Sequence, residues 1–369
     1  MKTILHVGPA KHGIAAYDLQ IDQIYRQQGF AVEPVLVDDD TAVREVVRQL
    51  AGRLAAQPEA VCHFEIGSGD QPILAMSRAL LAQTGRPQLV TIHDPGVVVK
   101  HPLAVPGTLH TQRAVALPAK AVRNTLSATV GKRLLASYLA DRRIVRSYLR
   151  PDLAESQSGT YIPQPTYHPE LPAVPAGHSG SLRIGFGGYW GLGKGLETLL
   201  DAAEEVLSDD PRPDMRLVVG GGTSGPHNAY AEGLRQRARQ VDPQAELPGF
   251  VDDDALDSWL QSLDVLVLPY WPELPNGTSA MAMRAAELAV PIIASNTKAL
   301  SGQLGPDGAS YVTPKDTPAL VAALRAFIAD PEAARRRAVA TQQHIFAGHN
   351  WAVVGRALSA YVQKLEQTT

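Results

Sequence analysis

Short apolar runs and stretches of helical spacing alternate along the whole chain. Residues 3–7, 30–37, 60–66 and 88–92 read as strands, and residues 14–28, 41–55 and 71–84 as the helices between them. After residue 180 the alternation resumes. Strands are expected at 182–186, 215–219, 246–247, 265–268, 292–294 and 311–312, and helices at 195–207, 230–240 and 281–289. Helices at 317–329, 331–347 and 351–365 close the chain. Runs such as Val265-Leu266-Val267-Leu268 are apolar at every position, which is what a parallel sheet covered on both faces requires. Between the two series, Pro151, Pro163, Pro165, Pro169, Pro172 and Pro175, with Gly177 and Gly180, break the pattern and mark a boundary. The pattern is α/β, with two Rossmann-like halves and a cleft between them.

Composition narrows the function classes. A chain of 369 residues is long for one domain and ample for two. A net charge of −3 gives no overall attraction to nucleic acid, so none is expected as a partner. The single cysteine, Cys62, excludes an internal disulfide and a cysteine-based metal cluster, and its apolar neighbours make it a buried thiol. The N-terminus lacks the pattern of an export leader and no window reaches the length of a membrane span, so a cytoplasmic protein is expected. One local departure stands out. From Arg113 to Arg150 basic residues gather, Asp141 is the only acid, and apolar positions interleave. The segment reads as an amphipathic helix, either a solvated face or a surface for an anionic membrane leaflet or acceptor.

Candidate chemistry lies in the loops that follow strands. Gly185-Phe186-Gly187-Gly188-Tyr189-Trp190-Gly191-Leu192-Gly193-Lys194-Gly195 leaves a strand and opens a helix. Its glycines permit close backbone approach to a ligand, and Lys194 places an ammonium at the helix start, an arrangement suited to a diphosphate. No Ser or Thr follows the lysine, so it is not a Walker A loop. A second strand–loop–helix unit spans residues 264–295, in which Asn276, Thr278 and Ser279 are each able to cap the helix. Free N–H groups on Gly277, Thr278 and Ser279 would suit an anion. Gly8 and Gly13 flank a further loop after the first strand. His63, Glu65, His93 and Asp94 sit toward strand ends that open to one crevice. His93 there either touches a sugar or phosphate or is a hydrogen-bonded strand-end histidine.

Taken together, residues 187–195, Pro248-Gly249-Phe250-Val251, 264–269 and 285–295 resemble the C-terminal half of family 4-type glycosyltransferases. Thr91-Ile92-His93-Asp94 and the closing helix after Trp351 are similar to the same family. The resemblance implies the GT-B fold, with domains at 1–172 (acceptor side) and 173–348 (nucleotide-sugar side). The helix in 349–369 would return to the first domain. It implies a retaining, hexosyltransferase-type enzyme that needs no metal and no cofactor beyond its nucleotide-sugar donor, and that serves a saccharide or lipid-linked acceptor. Carried over by position, Lys194 contacts the donor diphosphate, and Gly277, Thr278 and Ser279 lie near the donor phosphates and sugar. His93 approaches the transferred sugar. Gly13, Gly187, Gly188, Tyr189, Gly249, Phe250 and Val251 complete the nucleotide-sugar surface.

Three positions depart from the family. Tyr189 stands where an arginine is usual, and Asn276 and Arg284 stand where the paired glutamates are usual. A guanidinium has no acceptor for a ribose hydroxyl. Glu273 and Glu287 are candidate replacements for the two carboxylates, and Arg284 is a candidate phosphate clamp in place of the arginine absent at Tyr189. These departures keep two other readings open, a GT-B protein that binds a sugar or partner without catalysis and a sugar-nucleotide epimerase.

Overall fold

Every strand pairing described in the protein is parallel. The computed structural model describes residues 1–10, 12–38, 41–67, 71–93, 136–175, 180–191, 193–222, 228–272 and 278–367. They divide into two units, one drawn from Met1–Pro165, Pro275–Thr278 and Trp351–Thr369, the other from Thr166–Leu274 and Ser279–Asn350.

The first unit holds β1 (Thr3–Pro9), β2 (Ala31–Val37), β3 (Val61–Ile66), β4 (Gln88–Ile92), β5 (Ile144–Tyr148) and β6 (Thr160–Tyr161) in one sheet of order β2-β1-β3-β4-β5-β6. Helices His12–Gln27, Val43–Ala56, Gln71–Thr84 and Pro151–Ser156 lie between strands, and Trp351–Glu366 joins them from the end of the chain. Strand alternation divides the sheet's side chains between two faces. Leu5, Val7, Cys62, Phe64 and Val90 pack on one side with Val47, Leu50 and Leu80. Ile4, Val61 and Leu89 pack on the other, with Tyr17, Ile21 and Tyr25 from helix His12–Gln27 and Val354, Leu358 and Tyr361 from Trp351–Glu366. The return of the last helix to the first unit is therefore present. Cys62 is buried, and burial pushes its thiol up to about 12.

The second unit holds β7 (Leu182–Phe186), β8 (Met215–Gly220), β9 (Glu246–Gly249), β10 (Val265–Leu268), β11 (Ile292–Ser295) and β12 (Ser310–Val312), in the order β12-β11-β10-β7-β8-β9. Seven helices accompany them: Leu196–Leu207, Asn228–Val241, Asp253–Gln261, Ala280–Glu287, Lys298–Leu304, Thr317–Ala329 and Pro331–His349. Strand order reverses between β1 and β3 in the first sheet and between β7 and β10 in the second. Sheets of this kind bind ligands beyond the carboxyl ends of the strands at such a point.

Several expectations need correction. Residues 144–148 form β5, not the end of an amphipathic helix, because Ile144, Ser147 and Tyr148 are buried beside β4. Two of the basic residues read as a patch are already neutralised locally, Arg143 by Asp141 and Arg150 by Asp152, both at 2.6 Å. Residues 113–135 of that segment lie outside the described residues. The helix after β1 begins at His12, so Gly13 is in its first turn and not in the preceding loop. The unit boundary falls at Pro165, ahead of the expected 172. Thr166 N–H donates to His349 O at 3.0 Å and Tyr167 N–H to Glu287 Oε2 at 2.9 Å, which ties this segment into the second unit.

Candidate functional site

In the second unit, the loops after β7 and β10 meet at the point where strand order reverses. The β7 loop is pinned from two sides. Trp190 N–H donates to Gly222 O at 2.9 Å, its indole N–H donates to Gly220 O at 3.0 Å, and Trp271 N–H from the β10 loop donates to Gly193 O at 2.8 Å. Gly195 ends the loop at φ 75° and precedes helix Leu196–Leu207 with no side-chain cap. A Cβ at Gly195 would lie 1.9 Å from Pro269 O, so only glycine allows the β7 and β10 loops to close on each other. Gly187 is similarly confined, 2.9 Å from the Trp259 ring at the Cβ position.

Lys194 stands at this junction. Its ammonium lies 4.1 Å from the centroid of the buried Tyr270 ring and has no ion-pair partner among the described residues. A cation beside an uncapped helix N-terminus is a place for an anion. Tyr189, after β7, and Phe250, after β9, expose their rings at 48% and 79%, well beyond the other aromatics of the unit. Gly249 adopts φ 80° and its carbonyl accepts from Gly221 N–H at 2.6 Å, which sets the start of the Phe250-Val251 loop.

Part of the second anion site expected from sequence is taken up by the protein itself. Of the candidate caps, Ser279 is the one used, with Oγ accepting from Ala282 N–H at 3.3 Å. Its own N–H is not free, because it donates to the Gln303 side chain at 2.9 Å, and Gln303 Nε2 donates back to Ser279 O at 3.1 Å. Thr278 lies just before that cap and is half-buried. Arg284 is held by Asp257 at 2.5 Å and Asp253 at 3.0 Å and lies over the Tyr167 ring, not in a phosphate clamp. Glu287 is fully buried, and its oxygens accept from Tyr167 N–H at 2.9 Å and His168 N–H at 2.6 Å. It therefore serves the backbone of residues 167–168, in place of the ribose contact considered for it. Glu273, Asn276 and Gly277 lie outside the described residues.

In the first unit the structure assembles a polar group that sequence reasoning only touched. Alternation places His6, His63, Glu65 and Thr91 on the same sheet face, under helix His12–Gln27. His6 lies 2.7 Å from Asp22 through Nδ1 and 3.1 Å from Glu65 through Nε2. Tyr25 Oη lies 3.1 Å from His63 Nδ1, and His63 Nε2 lies 2.7 Å from Thr91 Oγ1. His93, buried at the end of β4, places Nε2 2.8 Å from Glu65 Oε2 and receives the Tyr17 ring edge-on at 4.9 Å.

Burial opposes charge on His6, but the hydrogen bonds to Asp22 and Glu65 prevail and raise it to about 10. Burial lowers His63 to about 4 and leaves it neutral. Glu65 is held below the usual carboxylate range, since His63, His6 and His93 together outweigh its burial. The candidate ligand atoms of His6, His63 and Glu65 lie within 4.8 Å of one another, close enough for a cation. Those atoms already satisfy one another, with a proton on His6 where a metal would sit. His6, Asp22, Tyr17 and Asp18 were missed in the sequence. The signal was there in a histidine inside an otherwise apolar strand and two acids one helical turn apart among buried positions.

Comparison with known proteins accords with this architecture. Residues 182–330 match the family described as Glycosyl transferases group 1. Over 111 residues the chain is 35% identical to glycogen synthase of Mycobacterium tuberculosis, covering 30% of this chain and 26% of that protein. Over 176 residues it is 28% identical to D-inositol 3-phosphate glycosyltransferase of Corynebacterium diphtheriae, covering 45% of this chain and 39% of that one. The matched segments thus span well under half of these curated relatives. Among solved structures, sucrose-phosphate synthase of Thermosynechococcus elongatus aligns over 100% of both chains with a TM-score of 0.73 at 16% identity. HepE of Anabaena, solved in complex with UDP-glucose, aligns over 98% of this chain and 100% of its own with a TM-score of 0.67 at 13% identity. These two show the fold, paired Rossmann-like α/β units of GT-B type, and residues 182–330, within the second unit, carry the match to the group 1 glycosyl transferases.

Proposed function

We propose that the chain transfers a hexosyl group from a nucleoside diphosphate donor to a hydroxyl of a saccharide or lipid-linked acceptor, with retention and without a bound metal. The observation that carries this reading is Lys194, an ammonium with no ion-pair partner among the described residues, at the start of helix Leu196–Leu207 where strand order reverses. There the diphosphate leaves. The bond from the anomeric carbon to the phosphate oxygen breaks as the acceptor oxygen bonds to that carbon on the same face, and the acceptor proton ends on the released diphosphate. Lys194 and the helix N–H groups oppose the charge that grows on the leaving group. The exposed rings of Tyr189 and Phe250 offer flat surfaces for a base. HepE holds UDP-glucose in its solved complex, which makes UDP the first nucleotide to try.

The work would be done in the cytoplasm. Among the described residues no helix is long and apolar enough to cross a membrane. Residues 113–135 of the basic segment are the part proposed to meet an anionic leaflet, and flotation with anionic vesicles tests it. Arg284 and Glu287, both fixed by partners within the unit, favour a second reading in which the chain binds a sugar nucleotide without turning it over.

Titration calorimetry with UDP, ADP and GDP, followed by turnover of the matching sugar conjugates, separates the two. Binding with turnover supports the transferase, binding alone supports the second reading, and no binding removes both. Lys194→Ala is expected to lower donor turnover about tenfold, equivalent to ~1.4 kcal/mol of transition-state stabilisation. An unchanged rate would take the diphosphate away from Lys194.

A further inference from the structure

Among the described residues of the first unit are three buried polar atoms with no hydrogen-bond partner in the protein. Both carboxylate oxygens of Asp18 and the hydroxyl of Tyr17 have no hydrogen-bond partner, and each residue is only 5% exposed. Leaving such groups unanswered costs on the order of 1–3 kcal/mol each, so native chains rarely keep them without a use. Their position gives them one. Asp18 lies against the carboxyl end of β1, where a Cβ on Gly8 would come within 1.7 Å of its Oδ2. Gly8 is thus the residue that leaves room for this carboxyl group. Tyr17, the neighbouring helix position, turns toward the end of β4 and meets His93. The two residues flank the end of β3, where the order β2-β1-β3-β4-β5-β6 reverses.

We propose that Asp18, with Tyr17 beside it, binds the hydroxyl groups of a sugar ring next to His93. This rests on the reading of the protein as a sugar-handling enzyme and assigns that reading a residue. A hydroxyl both donates and accepts, so it can answer a carboxyl group and a phenol together. A phosphate only accepts, and would face Asp22 and Glu65 within the same group. Burial raises Asp18 to about 8, so near neutrality it is largely protonated and able to donate as well as accept. The ring belongs either to the donor or to the acceptor.

The test is titration of the full chain and of Asp18→Asn and Tyr17→Phe. The ligands are UDP, ADP and GDP, their glucose conjugates, and separately maltose. Loss of at least tenfold in affinity for a glucose conjugate, with the bare nucleotide unchanged, supports the proposal and assigns the hydroxyls to the donor. A tenfold loss for maltose alone supports it and assigns them to the acceptor. Tyr17→Phe is expected to melt at or above the wild-type temperature, because it removes an orphaned hydroxyl, and Asp18→Asn close to it, because it keeps a polar side chain of the same shape. Unchanged affinities in both variants, a lower melting point with unchanged affinities, or a wild-type chain that binds neither sugar ligand would overturn the proposal. A wild-type chain that binds maltose but no nucleotide would refute the transferase reading alone, and the maltose arm would still decide for Asp18.

Discussion

His6 shows how a residue can be charged at the centre of a domain. With Asp22 on one nitrogen and Glu65 on the other, it keeps its proton in the folded chain up to about pH 10, whereas in the unfolded chain it loses it near 6.5. Its contribution is whole below pH 6.5 and is lost as pH rises through 10, with a slope approaching ~1.4 kcal/mol per pH unit for one proton. Asp18 acts in the same sense at lower pH. Its carboxyl is protonated in the folded chain up to about 8 but ionises from 3.8 in the unfolded one, so ionisation works against folding across that interval. His63, held neutral down to about 4, opposes both, since acid protonates the unfolded chain first. Urea unfolding at pH 7, 8 and 9 is expected to show falling stability of the first unit. His6→Gln, less stable throughout, should show a shallower fall. An equal slope in both would assign the loss to other groups.

At the scale of the element, the alternation of apolar runs and helical stretches was legible because the central strands are buried along most of their length. Residues 88–92, 182–186 and 265–268 come out as strands with the expected bounds for that reason. β5 was misread because Arg142, Arg143, Arg146 and Arg150 surround a short β-branched core, Ile144-Val145, whose burial depends on β4 and cannot be seen locally. The place of Lys194 at a helix start was legible from a glycine-rich loop after a strand, but the partners of Arg284 and Glu287 were not, since they lie elsewhere along the chain. Helix Ala280–Glu287 is held through Glu287 to Tyr167 and His168, and His168 Nε2 lies 2.9 Å from Asp257. Glu287 also sits 3.1 Å from His168 Nδ1, and these partners raise the histidine above its usual range, led by the bond to Glu287. Glu287→Gln retains the shape but provides only one oxygen for two N–H donors. It is expected to lower the stability of the second unit by about 1–3 kcal/mol and to leave nucleotide affinity within twofold, ~0.4 kcal/mol. A tenfold loss of nucleotide affinity at unchanged stability would restore the ribose contact.

At the scale of the whole molecule, the chain enters the second unit at Thr166 and leaves it at Asn350, so the first unit is finished by its last segment. That return was expected from the resemblance at Trp351, and beside its apolar packing it is held by the hydroxyl of one side chain. Tyr361 is fully buried, and its hydroxyl receives Val90 N–H at 2.9 Å and lies 3.0 Å from Val90 O and 2.6 Å from Val145 O. One phenol therefore bridges the backbones of β4 and β5 from a helix 271 positions along the sequence from Val90. Tyr361→Phe keeps the ring in the core and removes only the bridge, which leaves Val90 N–H and Val145 O buried without it. The expected cost is about 1–3 kcal/mol, and it should fall on one unit. In scanning calorimetry the transition of the first unit should move down by several degrees while that of the second stays in place, because the two cores unfold as separate bodies when their coupling is weak. Titration of the same variant with a nucleotide separates structure from site. If Lys194 and the β7 and β10 loops hold the diphosphate within the second unit, affinity for a bare nucleoside diphosphate should survive a loosened first unit, whereas turnover, if it draws on His93 as proposed, should fall. If both transitions move together, the units share one cooperative core and the separate stability assigned to each is refuted.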